Sequence, residues 1–189
     1  MHFGRWNTKN LVIGSAVLLV LFILNANRPR KFEIDTTIYN VKPVEVWEYM
    51  SDFRKMRTLN PSVVSFKIIA DSGHAHDWRY TVEYWERISH WPHFFSRATA
   101  DYIVKKTMPG EKDPTYTIES RHSTCFFKGI YCVTSTSEFK CRAKGRDTYC
   151  EEEIVYQCPP FLGTVCRREL EHQRKTVMKN LTAIFSNTG

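Results

Sequence analysis

The chain has 189 residues, 42% hydrophobic and 25% charged, a balance that supports a folded core and excludes a largely disordered polymer. Its formal charge of +7 and pI near 9.1 suit anionic surfaces, yet lysine and arginine are spread along the sequence and form no basic tract. No repeat or low-complexity tract interrupts it.

The first segment stands apart. Residues 11–24, LVIGSAVLLVLFIL, are uncharged, with Arg5 and Lys9 before them and Arg28, Arg30 and Lys31 after. This run of fourteen residues, apolar but for Ser15, matches a signal-peptide core. Counting 8–27 reaches about the 20 residues of a bilayer span, with Trp6 as interfacial anchor. A cleavage site after Ala26 would place bulky Leu24 where a small residue is wanted, so an uncleaved signal anchor, one transmembrane helix, is expected. A cleaved signal peptide and a secreted domain is the alternative. Residues 1–31 are thus an anchor and short basic linker, and 32–189 the domain.

Within the domain, 32–40 alternates and is β-branched, which predicts a strand. Pro43 opens a helix whose Val44, Trp47, Met50 and Phe53 share a face, and Asn60-Pro61 ends it. Strands follow at 63–70, 78–88, 94–105, 116–126, 130–142 and 148–158, separated by Asp71-Ser72-Gly73, His90-Trp91-Pro92, Pro109-Gly110, Lys128-Gly129 and Lys144-Gly145-Arg146. A long helix over 163–185 carries Cys166, Leu170, Gln173, Val177, Leu181 and Ile184 on one stripe. The order predicts an α+β domain, a curved antiparallel sheet around the C-terminal helix.

The opening resembles the START/Bet v 1-like (polyketide cyclase/SRPBCC) superfamily, through Pro43, Val46, Trp47, Ser51, Asp52, Phe53, Asn60 and Pro61. The resemblance implies a helix-grip fold with a cavity between sheet and terminal helix, and a lipid, sterol-like or other apolar small-molecule ligand. It supplies no catalytic residue, and neither the anchor nor the cysteines belong to the family pattern.

Strand parity supplies candidate cavity residues: Trp78, Tyr80, Val82 and Tyr84 on one strand, Ala98, Ala100 and Tyr102 on the next, Ser120 and His122 on the third. Small residues beside aromatics can leave room for a ligand or simply pack against the helix, so a filled-core interaction module stays open. His122 and Glu152 are weak catalytic candidates, an inward acid and base for a cyclase or hydrolase. Phosphate-loop, Gly-x-Ser-x-Gly and His-Glu-x-x-His motifs are absent. His74, His76 and Asp77 lack further ligands, so no metal and no cofactor is expected, and the aromatics do not interleave with basic residues as nucleic-acid binding requires.

All six cysteines lie between Cys125 and Cys166. A tight hairpin at Lys128-Gly129 sets Cys125 opposite Cys132, and one at Gly145-Arg146 sets Cys141 opposite Cys150. Cys158 and Cys166 remain to tie the last strand to the helix. Parity puts the first pair outward and the second inward. Reduced thiols are the alternative; zinc lacks the Cys-x-x-Cys spacing. Disulfides, the apolar leader and the sequon at Asn180 predict a membrane-attached glycoprotein domain in the ER lumen or outside the cell. Six free thiols would instead place it in the cytosol.

Overall fold

The computed structural model describes residues 8–26, 28–74, 77–107, 114–126, 129, 131–158 and 162–186. These form α1 (Thr8–Ala26), β1 (Arg30–Ile38), α2 (Pro43–Ser51), a 3-10 turn (Phe53–Lys55), α3 (Met56–Leu59), β2 (Val63–His74), β3 (Asp77–Ile88), β4 (Trp91–Lys106), β5 (Tyr116–Phe126), β6 (Tyr131–Lys144), β7 (Asp147–Tyr156) and α4 (Gly163–Ser186). The strands make one seven-stranded antiparallel sheet in the order β1-β7-β6-β5-β4-β3-β2. Consecutive strands β1 and β2 lie at opposite edges, because α2 and α3 carry the chain across the concave face between them.

Alternation decides what faces inward. Tyr80, Val82, Tyr84, Ala98, Ala100, Tyr102, Val104, Ile118 and Phe139 are buried in one cluster that also takes in Val46, Trp47 and Phe53 and, from α4, Val177, Met178 and Leu181. Burying Val177 and Leu181, each at most 1% exposed, contributes roughly 1.5–3 kcal/mol apiece.

Several boundaries differ from the sequence reading. Arg30 and Lys31, assigned to the linker, are strand residues, because their backbones pair with Tyr156 and Val155. The helix from Pro43 breaks at Asp52, which is extended and turns its carboxylate back to accept from the Arg54 amide. Asp71-Ser72-Gly73 is strand, paired with 78–80; Gly73 sits at φ +119°, where a Cβ would strike the Asp77 carbonyl. Trp91 pairs with Ile88, so the hairpin turns at Ser89 and His90.

Among the described residues no helix is long and apolar enough to cross a membrane, which corrects the expected transmembrane helix. α1 opens on Thr8, Lys9 and Asn10, and the apolar run that follows rises only about 21 Å against a hydrocarbon core of ~30 Å. Its apolar side chains from Leu11 to Leu21 are nonetheless solvent-exposed. The interfacial role expected of Trp6, the second loop histidine His76 and the Pro109-Gly110 turn lie outside the described residues.

Cys125–Cys132 and Cys141–Cys150 pair as the hairpin geometry predicts, and the remaining Cys158 and Cys166 pair with each other, leaving no free thiol. Cys125 stands directly opposite Cys132 on β5 and β6, and Cys141 opposite Cys150 on β6 and β7. Cys141 and Cys150 are fully buried, whereas Cys132 is exposed.

Candidate functional site

The concave face divides in two. One half is filled from α2 and the turn after it. Phe53 packs its ring 5.3 Å from Tyr84 and from Phe66 and 5.8 Å from Tyr102; Tyr80 stacks on Tyr102 at 4.8 Å. The Tyr80 hydroxyl donates to the Ser51 carbonyl at 2.9 Å and the Trp47 indole to the Thr117 carbonyl at 3.2 Å, so these polar tips are satisfied where they are buried. Trp78, Tyr80, Val82, Ala98 and Ala100 belong to this filled half; both alanines are fully buried.

The other half is open. A cavity of about 180 Å³ lies between the sheet and the start of α4, walled by Phe53, Met56, Tyr84, Tyr102, Phe126 and Leu170. Of the sequence-predicted set, Tyr84, Tyr102 and His122 line it. Ser120 is one step behind, hydrogen-bonded to His122 Nε2 at 2.8 Å, while His122 Nδ1 meets the Tyr84 hydroxyl at 2.8 Å. Burial, reinforced by the nearby Arg174 charge, pushes the His122 pKa down to about 3. The ring is therefore neutral at physiological pH, with one nitrogen donating and the other accepting. Its NMR signals are expected to hold constant from pH 8 to pH 5; a titration in that window would show that the ring is solvated.

Glu152 points inward from β7 but does not reach His122. Ser137 donates to its Oε1 at 2.6 Å, and Arg174 Nη1 lies 3.2 Å from the same oxygen. Among the described residues Glu152 Oε2 and Arg174 Nε have no hydrogen-bond partner. Burial opposes charge on Arg174, but Glu152, helped by Tyr102, Tyr84 and Glu86, outweighs it and holds the guanidinium protonated. The two catalytic candidates thus sit in separate polar networks.

Sequence reasoning missed two groups here. Glu86 continues the inward parity of β3 into the cavity wall, and burial raises its carboxyl to about 7 against the pull of Arg174. Its raised pKa disfavours the charged form in the fold, so stability is greater below about pH 4.5 and falls as pH climbs through 7. Glu86→Gln is expected to remove that fall, measured as urea midpoints at pH 5 and pH 8; an unchanged difference would clear Glu86 of it. Arg174 follows Leu170 by four residues and precedes Val177 by three, squarely on the buried stripe.

Glu169 lines the cavity from α4. It accepts from the Ser89 amide at 2.8 Å and from Gln173 at 3.0 Å, and meets His90 Nδ1 at 2.8 Å. Burial works against its charge, but the His90 and Ser89 bonds prevail and hold its carboxyl below the usual range. Asn180 is half-buried with its amide nitrogen donating to the Leu59 carbonyl at 2.9 Å, so a glycan there would displace that bond. Among the described residues no three His, Cys, Asp or Glu side chains converge to hold a metal.

No protein-family model matches the chain, and no curated protein matches its sequence. Solved structures do match in shape. TTHA0849 from Thermus thermophilus superposes with a TM-score of 0.60 at 11% identity, over 85% of this chain and 99% of that one. A START superfamily protein from Mycobacterium smegmatis gives 0.53 at 12%, over 84% and 99%. Ara h 8.0201 gives 0.51 at 12%, over 85% and 99%. Identities this low establish architecture alone. Sheet order, crossing helices and the long terminal helix together give this chain the helix-grip fold of the START and Bet v 1-like proteins.

Proposed function

We propose that the domain binds a small hydrophobic molecule, a lipid or sterol-like compound, between sheet and α4, and that α1 attaches it to a membrane. The observation that supports this most is the cavity itself: aromatic and aliphatic walls with Glu86, His122 and Arg174 converging on it. Burying apolar ligand surface there supplies about 25 cal/mol per Å². At about 180 Å³ it falls below the roughly 300–1,000 Å³ of drug-sized pockets, so it takes a compact molecule or one end of a longer one.

Attachment by α1 rests on its exposed apolar surface, with Lys9 and Arg28 placed to snorkel toward headgroups. Three disulfides support an oxidising compartment, hence a lumenal or extracellular domain. The acid–base alternative loses ground, because His122 and Glu152 each hold other partners.

Half-buried Thr124 and Ser135 line the cavity, so Thr124→Phe and Ser135→Phe would fill it from the rim. Each is expected to weaken saturable binding of a fluorescent fatty-acid analogue at least tenfold while leaving the unfolding midpoint nearly unchanged. Undiminished binding in both variants would place the probe elsewhere.

A further inference from the structure

Three features far apart in sequence meet at one end of the sheet. The first is the tip of the β3–β4 hairpin. Arg87 pairs with Phe95 and Ile88 with Trp91, leaving 92–94 unmatched, and this bulge turns large side chains outward. Trp91, Phe94 and Phe95 are 45%, 53% and 55% exposed, with the Trp91 and Phe94 rings 6.1 Å apart. Contacts from Ser89 and His90 to Glu169 pin this tip over the first turns of α4. The second feature is the root of α1. β1 starts at Arg30 opposite Tyr156, the last residue of β7, and the Arg30 guanidinium lies against Gly163 at the start of α4. The third is the cavity, whose lining includes Phe126 at the end of β5, Val133 near the start of β6, and Cys166 and Leu170 early in α4.

Basic charge frames the same end. Arg28, Arg30, Arg87 and Arg168 are exposed and have no carboxylate partner among the described residues; Arg87 instead lies over the Phe95 ring. Glu86 and Glu169 line the cavity, and Glu171, three residues along α4 from Arg168, is engaged by Arg167 and Lys175. Exposed aromatics amid free guanidiniums match the boundary of a phospholipid bilayer, where rings enter the headgroup layer and arginines meet phosphates.

We propose that this end is a bilayer-docking face: Trp91, Phe94 and Phe95 enter the lipid headgroup layer and turn the cavity mouth toward the membrane. The inference rests on membrane attachment through α1 and adds an orientation to it. A ligand with one end in the cavity could then leave its other end in lipid, which suits the limited volume.

The test uses the full chain reconstituted in phosphatidylcholine–phosphatidylserine vesicles doped with brominated lipid. Subtracting the emission of Trp91→Phe from that of the parent isolates Trp91. That difference is expected to be blue-shifted and quenched by brominated lipid. Phe94→Asp with Phe95→Asp should shift it to the red and abolish the quenching, while the thiol count stays at zero. If the protein floats with vesicles but Trp91 emits as in water, or is equally shielded without vesicles, the docking face is overturned and the anchor stands. If the protein does not float with vesicles, anchor and docking face fail together, and ligand binding is judged separately by its own probe.

Discussion

Replacing Cys141 and Cys150 together by alanine is expected to lower the stability of the domain by about 3 kcal/mol, more than the same change at Cys125 and Cys132. Loop closure alone predicts nearly equal losses, since the pairs are nine and seven residues apart and each closed loop contributes roughly 2–3 kcal/mol in the chain-entropy description. Packing separates them. Cys141 and Cys150 are both 0% accessible in the middle of the core, so removing two sulfurs leaves space that the surrounding side chains fill only in part. Cys125 is half-buried and Cys132 exposed, and their removal opens no comparable void. Urea midpoints of the two double variants, measured at neutral pH without reductant, would rank them. Equal losses would mean that loop entropy alone acts, and a larger loss at the outer pair would contradict the packing argument.

The second large effect is expected at Arg174. Changing it to Leu leaves the Glu152 carboxylate, whose side chain is 3% exposed, with Ser137 as its remaining partner. Breaking a buried pair from one side costs about 3–5 kcal/mol, and the lower end applies because the Arg174 side chain keeps 20% exposure. Glu152→Leu combined with Arg174→Leu removes both charges and should recover most of the loss, because an apolar pair needs no desolvation compensation. A double-mutant cycle reads the coupling directly. Additive single losses would show that the two side chains do not stabilise one another.

Much of this was legible in the residues. The turns expected at 128–129 and 145–146 indicated which cysteines face, as the strand registers on either side bear out, and parity assigned the inner and outer pairs, because both follow from local geometry. The same parity placed Ala98 and Ala100 on the concave face, but not what covers them. That depends on Phe53 and the helix turn reaching across the sheet, a long-range packing choice with no local signature. Glu86 and Arg174 were missed for a different reason: strand and helix faces were read from apolar residues, so charged members of the same faces passed unseen. The apolar leader is read with equal clarity, but the apolar run of its helix is shorter than a bilayer span.

Native mass spectrometry of the full chain, made in a secretory host and purified in mild detergent, bears most directly on the hydrophobic-ligand reading. A bound small molecule that is extractable into organic solvent, and that is lost in Thr124→Phe and Ser135→Phe, is the expected result. Protein of bare mass that also fails to take up lipid or sterol offered in excess would contradict it, and the helix-grip cavity would then be part of a filled interaction module.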